Sequence, residues 1–348
     1  MLKNIEIKNF RCFRDLYLHD LKRFNIVVGE SGSGKTALLE AIFLAGAASP
    51  EIWMRLRQWR GFAGTNLRLT GSRVSYEGLF RDIFFNFEKR KPVRIDFTDS
   101  DAKTRTLKIS YPSQEKYSQF SSQDRNQENE FIVEPIVFAW RSKGREQKAR
   151  VEIKDHQLSF RGFNNVYPIW FSSPMINEGT TIAQSFSELS VRKRTEPLIK
   201  AVRALYPELE SIGVESIAGD LLLCVSSAAM SEKLPIGLMS SGLTRFLSIM
   251  VAIAVNPGGV LLIDEFEVGF YYKTLRKVLQ SICAFCIDND VQIVASTHSY
   301  EFIQTLLPIM EAQGNDFNLL RAERHGSECK VKVLSDPVSA IESNFEVR

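Results

Sequence analysis

An eight-residue stretch near the N-terminus, GESGSGKT at residues 29–36, carries the residue types that bind phosphate groups. Its glycines allow consecutive backbone N–H groups to curl around phosphate oxygens, and a helix that begins behind the loop points its positive end at the same oxygens. A lysine in this position reaches the β- and γ-phosphates of a nucleotide, and the threonine hydroxyl ligates Mg²⁺. The stretch therefore predicts a nucleotide-binding loop. Its members are Gly29, Ser31, Gly32, Ser33, Gly34, Lys35 and Thr36.

Two carboxylates follow an apolar run at residues 260–265, VLLIDE. Four apolar residues in a row are typical of a strand buried on both faces, which would bring Asp264 to the carboxyl end of a sheet. There Asp264 would order water bound to Mg²⁺, and Glu265 would sit where a base orients the attacking water. A strand that ends in two acids is weak evidence alone, and it gains meaning only from its neighbours.

Two more segments could contact phosphate. Ser240, Ser241 and Gly242 open an apolar helix, and such a start offers hydroxyl and N–H donors with no side chain in the way. His298 follows a predicted strand at residues 291–296, where an imidazole can hydrogen-bond a γ-phosphate oxygen. Each segment also has a simpler explanation, which is a plain helix cap for the serines and a structural role for the histidine.

The elements that must position these residues lie at the two ends of the chain. A short apolar run at 24–28 predicts a buried strand before the glycine loop, and 36–45 has helical spacing behind it. Helix, strand, helix and strand follow past residue 236. Between the two ends the pattern predicts an antiparallel sheet, an exposed polar loop at 113–130, helical character at 188–209 and a strand pair at 212–225. The sequence predicts an α/β core, residues 1–48 and 236–348, split by an inserted β and helical lobe at 49–235.

The order of the motifs resembles that of the ABC-ATPase superfamily, within it the RecF/SMC/OLD-like branch of AAA-15/AAA-21 ATPases, many of them found in bacterial anti-phage systems. Residues 2–13 (LKNIEIKNFRCF) resemble the opening strand of that branch, with Arg11 at its usual arginine. Residues 263–271 (IDEFEVGFY) resemble its IDE-x-E-x-G-L-H stretch, with Tyr271 where relatives commonly carry His. Residues 296–302 (STHSYEF) and 336–348 (DPVSAIESNFEVR) resemble its switch-histidine segment and its ending.

The resemblance implies an ABC-ATPase head, a P-loop fold with a mixed sheet that binds ATP and Mg²⁺. Two heads would pack head-to-tail, each ATP lying between the loop of one copy and the Ser240, Ser241 and Gly242 of the other. Asp264 and Thr36 would act on the Mg²⁺ shell, Glu265 as base and His298 as γ-phosphate sensor. Arg11 would either contact phosphate or form a surface ion pair. The family's Q-loop glutamine has no identifiable counterpart.

The net charge of +3 is too small to indicate a nucleic-acid partner, but its distribution is uneven. Residues 53–94 hold ten basic residues against three acidic ones, interleaved with aromatic side chains. This mixture suits phosphate contacts with base stacking, or an acidic protein partner. It also suits an amphipathic insertion with core aromatics and solvated charges, which is the favoured interpretation for most of these residues. Arg55, Arg57 and Arg60, close together on a predicted helix, are the best candidates for contact with DNA or a partner.

Several classes of protein are disfavoured. The five cysteines are scattered and odd in number, which argues against a disulfide framework, and the apolar stretches are too short for a membrane span. The polar, alternating start predicts a cytoplasmic location without a membrane partner.

OLD-type relatives carry a TOPRIM nuclease after the head, and the short stretch after His298 has no room for one. The sequence therefore predicts a separate effector, such as a nuclease or toxin. A DNA-maintenance ATPase that binds DNA itself, and an ATP-gated scaffold that hydrolyses little, stay open as alternatives.

Overall fold

The structure is a computed structural model of the chain, and it describes residues 1–47, 49–62, 78–111, 136–154, 157–160, 166–176, 179–312, 314 and 316–334. The predicted exposed loop at 113–130, much of the basic segment (63–77) and the family-like run at 336–348 lie outside the described residues.

The strands in chain order are β1 (Leu2–Phe10), β2 (Phe13–Leu18), β3 (Phe24–Val28), β4 (Val93–Asp99), β5 (Thr104–Ser110), β6 (Val137–Ser142), β7 (Arg145–Lys154), β8 (Gln157–Phe160), β9 (Ile169–Ser172), β10 (Leu209–Ile217), β11 (Asp220–Ser227), β12 (Leu234–Pro235), β13 (Val260–Ile263), β14 (Gln292–Ser296), β15 (Phe317–His325) and β16 (Glu328–Val333). The helices are α1 (Lys35–Gly46), α2 (Glu51–Trp59), α3 (Gly179–Val191), α4 (Glu196–Leu205), α5 (Ser241–Val255), α6 (Tyr272–Asp288) and α7 (Tyr300–Ala312), with short 3-10 helices at Arg81–Ile83, Phe85–Phe87 and Ile236–Leu238.

A mixed sheet at the centre has the strand order β16-β15-β3-β14-β13-β9. All its neighbouring strands are parallel except β15 and β16, which form an antiparallel hairpin. Each residue of β13 is buried, because α1 covers one face of the sheet and the layer that contains α5, α6 and α7 covers the other. Burial on both faces explains why β3 and β13 have continuous apolar sequences rather than alternating ones.

A second sheet lies on the far side of α1 and is antiparallel, in the order β2-β1-β4-β5-β6-β7-β8. Helix α1 packs against β4 and β5 on one side and against β9, β13 and β14 on the other. Nearly every residue of α1 is buried, which is unusual for a helix of a soluble domain. The helix behind the glycine loop is therefore held rigidly between two sheets.

Gln292 at the start of β14 connects the two sheets. Its side chain is completely buried, its Oε1 accepts a hydrogen bond from the Leu2 backbone N–H at 2.6 Å, and its Nε2 donates to the carbonyls of Leu2 at 2.9 Å and Lys22 at 2.7 Å. The amide thus satisfies backbone groups on both sides of the junction, and unsatisfied groups there would each cost about 1–3 kcal/mol.

The strand and helix positions predicted at the two ends of the chain are confirmed, and the fold class is α/β with a mixed sheet. The predicted helical stretch at 188–209 is wrong at both ends. Helix α3 begins at Gly179, a break separates it from α4, and Leu209 already belongs to β10. Pro197 lies in the first turn of α4, where its missing N–H and fixed φ suit a helix start.

The predicted division at residues 48 and 235 does not follow the sheets. Strand β9, from within 49–235, pairs with β13 in the mixed sheet, and β4 pairs with β1 in the antiparallel one. The segment 49–235 thus contributes strands to both sheets, and its description as a separate lobe stays a prediction. In the part of the chain that the structure describes, no helix has the length and apolarity to cross a membrane.

Candidate functional site

The glycine loop at residues 29–36 follows β3 directly and is shaped by glycines with positive φ. Gly29 has φ 142°, and a Cβ there would lie 2.1 Å from the carbonyl oxygen of Ala322 on β15. Gly34 has φ 98°, and a Cβ there would meet the Cys12 sulfur at 2.9 Å. Side chains are excluded at both positions by the close approach of neighbouring strands, in addition to the strain of the backbone. The loop conformation depends on these glycines.

Lys35 turns back over the loop. Its Nζ donates hydrogen bonds to the carbonyls of Gly29 at 2.6 Å and Glu30 at 2.8 Å, and its side chain is buried. Burial lowers the pKa of the Lys35 ammonium to about 8, against the opposing effect of Asp264 and neighbouring glutamates. The ammonium therefore occupies a desolvated position, where an anionic phosphate would stabilise its charge.

Asp264 lies at the end of β13 and receives hydrogen bonds from two neighbouring segments. Thr36 Oγ1, at the start of α1, donates to its carboxylate at 3.0 and 3.1 Å, and Ser296 Oγ, at the end of β14, donates at 2.5 Å. These three groups meet because the strand ends of a parallel sheet share one edge and β14 lies between β3 and β13. The sequence predicted the meeting of Thr36 and Asp264 but not the part of Ser296.

Glu265 has φ 49°, a left-handed conformation that is uncommon for residues other than glycine. Its backbone N–H donates to Ser296 Oγ at 2.9 Å, and the N–H of Phe266 donates to the Ser296 carbonyl at the same distance. Both bonds hold the turn against the strain. Strained residues of this kind cluster at functional sites.

The serine–glycine segment caps α5. Ser240 Oγ accepts a hydrogen bond from the Leu243 N–H at 3.3 Å, so the plain N-cap is present. Ser241 is exposed one residue later. A Cβ on Gly242 would lie 2.9 Å from the carbonyl oxygen of Gly269, which explains the glycine by close approach of the turn after β13. The close neighbours of Gly242 are the Gly269 carbonyl and the Tyr206 hydroxyl, so this segment packs against the turn after β13 and the end of α4.

His298 is exposed just past the end of β14, and its backbone N–H donates to Glu267 Oε1 at 2.8 Å. The structure thus brings Lys35, Thr36, Asp264 and Glu265 together at one edge of the sheet and places the main chain of His298 against the same turn.

Arg11 forms an ion pair, as one of its two predicted roles required, but the pair is largely buried and not on the surface; its contact with phosphate stays a prediction. Its Nε lies 3.2 Å from Oε2 of Glu40, a carboxylate buried within α1, and its guanidinium covers the Trp53 ring at 4.8 Å. Arg60 Nε contacts the other oxygen of Glu40 at 2.7 Å. Burial raises the pKa of the Glu40 carboxyl, and the two arginines oppose that shift. The triad ties β1 and α2 to the helix behind the loop.

The two remaining basic candidates are also paired. Arg57 Nη1 lies 2.7 Å from Asp82 and its guanidinium covers the Phe62 ring at 4.5 Å, while Arg55 pairs with Glu51 one turn away at 3.0 Å. Arg55, Arg57 and Arg60 therefore do not form an unpaired cationic surface. These ion pairs favour the interpretation that the three arginines are neutralised within the fold.

Sequence reasoning missed Arg245, which lies within the apolar helix α5. Its Nη1 donates to Ser172 Oγ at 2.9 Å and its Nη2 to the Asp264 carbonyl at 3.0 Å, both in buried surroundings. The sequence contains the indication, because Arg245 is the charged residue in an otherwise apolar run, LTRFLSIMVAIAV, and a charge buried there needs a partner. Arg245 fixes the backbone that carries Asp264.

The residues present fit a nucleotide with Mg²⁺. Ser33 Oγ is buried in the loop and has no hydrogen-bond partner among the described residues, so a phosphate oxygen would satisfy it. The Thr36 hydroxyl and the Asp264 carboxylate supply the hard oxygen ligands that Mg²⁺ prefers, with room for water and phosphate in the remaining positions. Thr36 and Asp264 would hold the ion.

We predict that Lys35→Ala weakens binding of ATP with Mg²⁺ by about 100-fold or more, because charge-assisted hydrogen bonds to phosphate are lost. Isothermal titration calorimetry measures this directly. Lys277→Ala, which removes an exposed lysine of α6, is the matched control and should bind like the wild type. Equal affinity in the Lys35 variant would contradict the assignment of the loop.

Comparisons with known proteins agree with this geometry. A family model described as "AAA domain" matches residues 4–200, more than half of the chain, and one described as "AAA domain, putative AbiEii toxin, Type IV TA system" matches residues 227–304. An "ATP/GTP phosphatase" of Helicobacter pylori is 22% identical over 334 residues, covering 88% of this chain and 87% of that protein. An "OLD nuclease" of Thermus scotoductus is 42% identical over 60 residues, 17% of this chain and 11% of that protein.

A short match also relates the chain to the "DNA replication and repair protein RecF" of Actinobacillus pleuropneumoniae, 51% identical over 45 residues, 13% of this chain and 12% of that protein. Among solved structures, the "SMC head domain from Thermotoga maritima" superposes with a TM-score of 0.50 at 14% identity, over 96% of this chain and 99% of that one. At this identity the superposition shows a shared fold. The chain belongs to the AAA-domain family as a RecF/SMC/OLD-like ATPase.

Proposed function

We propose that ATP joins two copies of this chain head-to-tail and that hydrolysis separates them again. Each nucleotide would lie between the glycine loop of one copy and Ser240, Ser241 and Gly242 of the other. The observation that carries this proposal is the exposure of Ser241 at the start of α5, where the first N–H groups of a 15-residue helix have no partner within the helix. Such a helix start is a site for anions, here the phosphates of the partner's nucleotide.

Exposed apolar side chains surround that helix start. Leu238, just before it, is 73% exposed, and Tyr272 is 63% exposed beside the turn that packs on Gly242. Val268 and Tyr271 on the same turn are exposed as well. Apolar groups on a rim around a polar helix start suit burial against a second protein surface. This supports a partner at the Ser241 face.

The residues of the loop edge divide the chemistry among them. Lys35 and the loop N–H groups would bind the β- and γ-phosphates, and His298 would hydrogen-bond a γ-phosphate oxygen. Glu265, held by Ser296, would orient the attacking water and accept its proton as that water bonds to phosphorus and the bond to ADP breaks. Mg²⁺, held by Thr36 and Asp264, would neutralise charge on the phosphates.

We predict that Glu265→Gln binds ATP but hydrolyses it at least about 100-fold more slowly, because the amide cannot accept the proton. ATP-bound dimers should then accumulate and be visible by multi-angle light scattering with ATP and Mg²⁺. Adding Ser241→Arg to Glu265→Gln, which blocks the exposed helix start, should restore the monomer.

A persistent monomer for Glu265→Gln under these conditions would contradict the head-to-tail arrangement. Equal, near-zero turnover in the wild type and in Glu265→Gln would instead favour the ATP-gated scaffold.

We further propose that the cycle drives a separate effector, such as a nuclease or toxin, in anti-phage defence. Two similarities support this role. The family model that matches residues 227–304 is described with a toxin of a type IV toxin–antitoxin system, and the relative from Thermus scotoductus is named a nuclease. A nucleotide-controlled association would give such an effector an assembly signal.

The defence role predicts that bacteria carrying this gene with its neighbouring reading frame resist phage infection, and that Lys35→Ala abolishes the resistance. Plaque counts measure both outcomes, and Lys277→Ala should stay protective. Protection that survives Lys35→Ala would show that nucleotide binding is not involved. Protection without the neighbouring gene would argue against a separate effector.

A second function, direct binding of single-stranded DNA, is favoured by a surface different from the predicted one. We call Arg14 and Arg81, which cover the rings of Phe85 and Phe87, together with Phe87 and the exposed Arg90 three residues after it, the arginine–phenylalanine patch. Arg81 covers the Phe87 ring at 4.9 Å, and Phe87 is 55% exposed in a left-handed conformation. No described carboxylate lies within ion-pair distance of its three arginines, although nearby Glu88 and Asp82 pair with Lys91 and Arg57. Exposed cations beside an aromatic ring suit phosphates with a stacked base.

The patch predicts that the triple change Arg14, Arg81 and Arg90→Ala weakens single-stranded DNA binding about tenfold or more and lowers the salt slope by about 2. Fluorescence anisotropy between 50 and 200 mM salt, roughly the range in which such contacts are screened, measures both. The control replaces exposed Arg192, Lys193 and Arg194 by Ala, with the same change in charge. The same loss in both variants would mean that no local site exists.

A further inference from the structure

Glu267 lies on the turn after β13, and it holds the backbone of the loop that carries His298. Its Oε1 accepts the His298 N–H at 2.8 Å. The neighbouring N–H groups are satisfied from elsewhere, because Thr297 donates to the Val27 carbonyl at 3.1 Å and Ser299 to the Thr297 hydroxyl at 3.1 Å. Glu267 is therefore the group that sets the main chain at the histidine itself.

The second carboxylate oxygen of Glu267 is buried and has no hydrogen-bond partner among the described residues. A buried carboxylate oxygen without a hydrogen-bond partner lowers the stability of the fold. Such a group in a native structure calls for an explanation, for example a role in catalysis. The negative charges of Asp264, Glu267 and Glu265 oppose the lowering of the Lys35 pKa by burial, so Glu267 lies near the Lys35 ammonium. The carboxylate thus belongs to the phosphate edge of the site and not to the surface.

The turn that carries Glu267 is tightly held on both sides. Phe266 is buried against Phe302 of α7, with ring centroids 5.0 Å apart, and the Phe270 N–H donates to the Glu267 carbonyl at 3.2 Å. Gly269, two residues further on, touches the Ser241 backbone. A side chain on so fixed a turn can hold the His298 loop in one position.

We propose that Glu267 is a positioning residue for ATP hydrolysis, which fixes the His298 main chain and thereby places the imidazole at the γ-phosphate. This inference rests on the proposed role of His298. It assigns Glu267 a function separate from that of Glu265, because Glu267 acts through His298 and not on the attacking water.

Steady-state kinetics separate this role from a structural one. Glu267→Ala should lower kcat about 10- to 100-fold, the range for a lost hydrogen bond to a charged group, and leave the KM for ATP within about threefold. Glu267→Gln keeps an oxygen that accepts the His298 N–H and should recover most of that loss. Glu301→Ala, which removes an exposed carboxylate three residues after His298, is the matched control.

A double variant tests whether Glu267 acts through His298. If it does, Glu267→Ala combined with His298→Ala should be no slower than His298→Ala alone, since interacting residues are not additive. Losses that multiply would overturn the proposal, as would wild-type kcat in Glu267→Ala. A Gln variant as slow as the Ala variant would show that the charge acts directly.

The hydrogen bond itself can be observed without nucleotide or turnover. The chain has four histidines, so protein labelled with ¹⁵N-histidine should give few amide signals, and His298→Ala identifies the one of interest. Glu267→Ala should move that signal upfield and leave the other histidine signals in place, which also shows that the variant is folded. An unchanged His298 signal would overturn the proposal. Wild-type turnover in His298→Ala would instead contradict the sensor role on which it rests.

Discussion

The carboxylate of Asp264, held by Thr36 on one side and Ser296 on the other, is the point on which the site depends. It joins the start of α1 to the ends of β13 and β14, and Arg245 fixes the backbone behind it. A shift of β13 or β14 by one residue toward the loop would put apolar Ile263 in the place of Asp264 or apolar Ala295 in the place of Ser296. The glycine loop meets the acidic strand end in this register, which the pairing of β13 with β14 and of β14 with β3 sets.

Burial gives the site its electrostatic character. Lys35 lies in a desolvated position, and its pKa falls as a result, while the loop carbonyls take the hydrogen bonds that phosphate oxygens would receive. Ser33 Oγ, in the same loop, has no hydrogen-bond partner in the part of the chain that the structure describes. The two sheets that enclose α1 hold the backbone at these groups, while the Lys35 side chain would exchange its carbonyl partners for phosphate oxygens. Preorganised groups of this kind stabilise developing charge more effectively than mobile ones.

The number of basic residues in a segment does not show how many of them are free to bind a partner, because some are paired with carboxylates within the fold. Arg57 pairs with Asp82 and Arg60 with Glu40, carboxylates that are 25 and 20 residues away in sequence. Arg11 reaches Glu40 from the turn between β1 and β2. A scan of local composition counts Arg57 and Arg60 as part of a basic segment, yet both are paired with carboxylates within the fold. Among the described residues, the arginines without a carboxylate partner include Arg14 and Arg81, which cover the rings of Phe85 and Phe87.

The sequence alone determined the features that depend on a few consecutive residues. Local spacing predicts four of these features: the loop at 29–36, the strand before it, the helix behind it and the acidic end of β13. The meeting of Thr36 with Asp264 follows from the rule that the ends of parallel strands share one edge of the sheet. The tertiary structure decided what depends on distant pairing. It placed β9 in the mixed sheet, put Arg11 on Glu40, and brought Glu267 to the N–H of His298, 31 residues away. Such contacts have no periodic signal, because their partners are selected by packing after the strands have assembled.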